Sequence, residues 1–118
     1  MSKIIRINDE STSIDGTSYL GVFHVNYDQL VSKLGEPGDS FDGYKTDAEW
    51  TIEFEDGNVA TVYNWKDGKN YCGRSGLAVS RIKEWHIGGA NSCVVEWVKD
   101  YVLHSWPMFD DIRQEAQY

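Results

Sequence analysis

Residues 47–71 read DAEWTIEFEDGNVATVYNWKDGKNY, and their first half decides the fold. Ala48, Trp50, Ile52 and Phe54 alternate with Asp47, Glu49, Thr51, Glu53 and Glu55. A period of two is that of a strand with one apolar and one polar face. Asp56-Gly57 is the dipeptide favoured by a two-residue type I′ turn, whose central residues both need positive φ. The stretch therefore predicts a hairpin, with residues 58–65 returning antiparallel to the first strand.

Working outward, TSYLGVFHV at 17–25 is β-branched, aromatic and alternating, which predicts another strand. Asn26 stands as the cap of a short helix carrying Tyr27, Leu30, Val31 and Leu34 at helical spacing, and Gly35 stands where such a helix closes. Ile82, Glu84 and His86 alternate with Lys83, Trp85 and Ile87 in a further strand ended by Gly88-Gly89. From Asn91 or Ser92 a last helix places Val94, Val95, Val98, Tyr101, Val102 and Ser105 on one stripe, and Pro107 stops it. Residues 1–16 read as a flexible arm or an edge strand, and 107–118 as an acidic tail. The expected order is β-α-β-β-β-α in one domain spanning 1–118: an α+β fold, its sheet mostly antiparallel, with a C-terminal helix packed on it.

Composition narrows the function classes. At 118 residues, 41% of them hydrophobic, the chain can bury a core without metals or disulfides. Cys72 and Cys93 have no CxxC spacing, so they read as reduced structural thiols, and no metal site or cofactor is expected. No apolar run is long enough for a membrane helix, and the N-terminus lacks the apolar core of a signal peptide, so a cytoplasmic protein with no membrane partner is expected. A formal charge of −8 argues against direct binding to nucleic acid. The charge is uneven: between Asn58 and Ala90 the bases Lys66, Lys69, Arg74, Arg81 and Lys83 outnumber the acids Asp67 and Glu84, so the acidity is concentrated elsewhere.

Two constellations could do chemistry. Asp47, Glu49, Glu53 and Glu55 would project from one strand face, neighbouring positions on that face about 6.6 Å apart. Such a row could imitate phosphates to a partner, and it is equally what the solvated side of a half-buried sheet looks like. Tyr63, Trp65, Lys66, Lys69, Tyr71, Arg74, Trp85 and His86 combine rings that can stack a base with cations that can meet phosphate. Beside them Gly88 and Gly89 allow close backbone approach. The plainer reading makes the aromatics core and the lysines the solvent-facing side of a turn. His86 has no second His or Cys at ligand spacing, and neither a phosphate-binding loop nor a nucleophile elbow is present, so no catalytic residue is assigned.

The segments GEPGD, YKTDAEWTIEFEDG, VATVYNWKDGKNY and WHIGG together resemble a family of small proteins of tailed phages, over roughly residues 17–100. The resemblance implies a phage accessory protein that counters a bacterial defence, and it carries no catalytic assignment. Two mechanisms follow as expectations. In one, the segment from Tyr63 to His86 sequesters a nucleotide signal; in the other, the acidic row blocks a nucleic-acid-binding effector such as a CRISPR nuclease, a host defence protein being the partner. A small nucleotide- or nucleic-acid-cleaving enzyme using His86 with Lys66 or Glu84 is a third. Trp97, Trp106 and Phe109 are expected to pair two copies into a homodimer.

Overall fold

The computed structural model describes residues 2–38 and 43–104. Five strands form one antiparallel sheet: β1 (Ile4–Ile7), β2 (Ser18–His24), β3 (Glu49–Phe54), β4 (Val59–Tyr63) and β5 (Glu84–Gly89), in the order β1-β3-β4-β5-β2. Helix α1 (Tyr27–Leu34) follows β2, the short α2 (Lys69–Cys72) follows β4, and α3 (Cys93–Leu103) follows β5. The fold is α+β, with the C-terminal helix packed on the sheet. No described helix is long and apolar enough to cross a membrane. Ser105, Pro107 and the tail lie outside the described residues, as do Trp106 and Phe109.

Local chemistry sets the elements. Asn26 and Gln29 form a reciprocal capping box at the start of α1, and Gly35 ends that helix with φ 83°. The β3–β4 hairpin departs from the expected type I′ turn. Gly57 N–H donates to Phe54 O at 3.0 Å and Phe54 N–H to Asn58 O at 2.9 Å. Only Gly57, at φ 93°, is left-handed. Three residues rather than two close the loop, so the positive φ is needed at one position, and glycine takes it.

One face of the sheet is covered by α1 and α3. Trp50, Ile52, Phe54, Val62, Trp85 and Ile87 point there and are fully buried together with Val94, Val98 and Val102. Trp50 and Trp85 meet edge to face at 5.6 Å, Trp50 Nε1 donates to Gly35 O at 2.8 Å and Trp85 Nε1 to Ile82 O at 3.3 Å, so each indole is both packed and anchored. Trp97, expected to be exposed, is partly buried against the core. Its ring lies 5.0 Å from that of Phe54 and closes the end of the core.

The other face carries the side chains that alternate with these. Here β1 and β2 run parallel on opposite edges, so residues 8–17 must cross the sheet diagonally from the end of one to the start of the other. Thr12, buried midway along this strap, donates its hydroxyl to Glu53 at 2.8 Å. The strap reaches the far edge at Ser18, whose carbonyl lies against Gly88. Its anchor points are thus at the Glu53 and Gly88 levels. The Tyr63–His86 pair lies further along β4 and β5, away from them.

Candidate functional site

Beyond the strap lies a cleft of about 330 Å³ lined by Tyr19, Tyr63, Trp65 and His86. Pairing puts Tyr63 of β4 directly beside His86 of β5, and β2 adds Tyr19 one strand further. The His86 ring lies 4.9 Å from Tyr19 and 5.5 Å from Tyr63. Trp65 stands just past the end of β4, 38% exposed, with its ring nearly parallel to His86: 27° between planes and 6.4 Å between centroids. Burial holds the His86 imidazole below its ordinary pKa, against the opposing pull of Glu84 and then Asp67. The Tyr63 phenol is pushed up, first by burial and then by the Glu49 carboxylate.

Two cations frame the tryptophan. Lys45 Nζ lies 5.4 Å and Lys66 Nζ 5.8 Å from the Trp65 ring, and Lys66 Nζ also sits 5.4 Å from the ring of Tyr71. Lys66 is held left-handed, φ 62°, while its N–H donates to Lys45 O at 2.8 Å and its carbonyl accepts from Cys72 Sγ at 3.1 Å. Among the described residues it has no carboxylate in ion-pair range.

The turn behind these groups is fixed by Asn64, fully buried. Its Oδ1 accepts from the backbone N–H groups of Asp47 and Ala48, and its Nδ2 donates to the carboxylates of Asp47 and Asp67. Asp47 then accepts the Asn70 N–H at 3.1 Å, which ties α2 to the base of β3.

Several sequence expectations are corrected by this arrangement. Trp85 is not in the cleft: alternation turns it to the helix side, where it is fully buried. Gly89 also faces the helices, since a Cβ there would meet Val94. Gly88 faces the open side, packed against Thr61 and the Tyr63 ring. Lys69 and Arg74 are exposed on α2 and the 3₁₀ turn Gly73–Ser75, with Lys69 Nζ on the Arg74 carbonyl at 3.5 Å. Cys72 and Cys93 are free thiols, but they are exposed rather than built into the core.

The acidic row is not a wet, free surface. Glu49 is 7% exposed. Glu53 pairs with Arg6 at 3.2 Å and accepts from Thr12. Asp47, before the strand begins, is engaged by Asn64 and Asn70. Glu55 alone of the four is exposed. The strap and β1 take up Glu53, which alternation alone assigned to solvent, whereas Glu49 lies opposite Tyr63, where Gly38 bridges to it.

Tyr19 and Lys45 were absent from the expected site. Alternation would set Tyr19 on the helix side with Gly21 and buried Phe23; an irregularity in the β2–β5 register between Tyr19 and Gly21 brings it to the open face, and its nearness to His86 follows only from β2 pairing with β5. Lys45 lies in a turn with no periodic signal. Among the described residues no group of three His, Cys, Asp or Glu could hold a metal ion. Compared with protein-family models, curated proteins and solved structures, the chain matches none of them.

Proposed function

We propose that this is a phage-type accessory protein that neutralises a component of bacterial immunity by sequestering a nucleotide signal in the cleft of Tyr19, Tyr63, Trp65 and His86. The observation that carries the reading is the Trp65–His86 pair, two nearly parallel rings 6.4 Å apart with two ammonium groups beside the tryptophan. The exposed Trp65 ring offers a planar base a face to stack on, with His86 lining the same cleft. Lys66 and Lys45 would then meet its phosphate, and the cleft volume falls at the lower end of the range for small-ligand sites. An uncharged His86 suits stacking, because a cation in that position would have to be desolvated by the base.

The phage and anti-defence parts of the proposal rest on the sequence resemblance; the nucleotide part rests on the cleft. The acidic-mimic alternative draws on Glu55 as its one exposed carboxylate and has less to support it. Calorimetric titration with mono-, di- and cyclic nucleotides tests the reading. Binding that Trp65→Ala weakens by about 1–3 kcal/mol supports it, that being the contribution of one base stacked on one aromatic ring. No heat from any nucleotide would remove it.

A further inference from the structure

Resting on the nucleotide reading of the cleft, we infer that the ligand is a dinucleotide, two bases joined through phosphate, with the second base held on Tyr44 and Tyr71. The cleft is one of two aromatic platforms. Tyr44 and Tyr71 pack 5.0 Å apart, 60% and 37% exposed, and Lys66 reaches the second of them as well as Trp65. Lys66 Nζ lies 5.8 Å from the Trp65 ring and 5.4 Å from the Tyr71 ring, so the two platforms are separated by no more than the sum of those distances. One ammonium group thus lies within 6 Å of both stacking surfaces, within reach of a phosphate that links bases held on each.

Two further features fit this division. Lys66 has no carboxylate in ion-pair range among the described residues, and its cation–π contacts leave its charge uncompensated. Its left-handed backbone, tied to Lys45 and Cys72, fixes the position from which its side chain reaches both rings. Lys69 and Arg74, exposed and close to Tyr71 in sequence, are the cations at hand for a second phosphate, as in a cyclic dinucleotide. A mononucleotide would use the first platform and leave Tyr44 and Tyr71 bare.

The test is titration of the whole chain with a nucleoside monophosphate, the linear and cyclic dinucleotides of the same base, and a single-stranded oligonucleotide. The expected result is that at least one dinucleotide binds roughly ten-fold or more tighter than the monophosphate, the gain from one added stacked base. Tyr44→Ala and Tyr71→Ala should each lower dinucleotide affinity toward that of the monophosphate, with thermal melts confirming that these exposed positions leave the fold intact. Equal affinity for monophosphate and dinucleotides, a gain that survives both substitutions, or tightest binding to the oligonucleotide would overturn the inference alone. Silence with every nucleotide would take the reading of the cleft down with it.

Discussion

Asn64 Nδ2 donates to Asp47 Oδ1 at 2.9 Å, joining the end of β4 to the approach of β3 across the turn that carries Trp65 and Lys66. The amide is spent in full: its oxygen takes two backbone N–H groups and its nitrogen two carboxylates. Because the site is buried, no water can replace it. Asn64→Ala is expected to cost about 2–4 kcal/mol, since it orphans two backbone donors, and Asn64→Asp at least as much, because it sets a third carboxylate against Asp47 and Asp67. Urea unfolding of both variants checks this, and wild-type stability in either would show that the network is dispensable.

Lys66 should trade stability for binding. A left-handed side-chain-bearing residue costs about 1–2 kcal/mol, and glycine relieves that strain at an entropic cost of about 0.5–1 kcal/mol. Lys66→Gly is therefore expected to raise stability by up to about 1 kcal/mol while weakening nucleotide binding. Lys66→Ala keeps the strain and loses the charge, so a pair of melts separates the two effects. A Gly variant less stable than the Ala variant would show that no strain is stored there.

The acidic strand should respond unequally to charge reversal. Glu55→Lys is expected to lie within about 0.5 kcal/mol of wild type, as for other exposed positions. Glu53→Lys breaks the Arg6 pair and the Thr12 bond and sets like charges together, with an expected cost of about 1–2 kcal/mol. Glu49→Lys should cost more, because its side chain is buried. Equal, negligible effects in chemical denaturation would mean that the row is solvated after all.

Stability should fall as the medium is acidified through the histidine range. Burial depresses the His86 pKa in the folded state, so the unfolded chain takes up the proton more readily and protonation favours unfolding. The contribution is full above the ordinary value of 6.5, declines as pH drops below it, and levels off once the folded pKa is passed. Melting temperatures between about pH 7.5 and 5.5 read this, and His86→Phe, which keeps a ring and removes the titration, should flatten the slope. An unchanged slope in that variant would assign the effect to other groups.

The chain's local patterns were sufficient for the strands β2 to β5, for α1 and α3, and for the core face of β3, but not for α2. Alternation from Ala48 to Glu55 and from Ile82 to Ile87 names the strands and the core side of β3, because a side chain's side of the sheet follows from its position in the strand. Asn26, Gln29 and Gly35 likewise mark the ends of α1 through their own backbone chemistry. What lay beyond sequence was everything set by strands distant in the chain. That Tyr19 meets His86 depends on β2 pairing with β5, and that Glu53 is covered depends on β1 and β2 taking opposite edges, which sends residues 8–17 across the face. Trp85 and His86 show the limit most closely. Adjacent in sequence and equally aromatic, they fall on opposite sides of β5, and only the placement of the helices made one of them core and the other part of a cleft. Periodicity is local and travels with the chain; strand order is a choice among long-range pairings of similar energy, made by how the whole core packs.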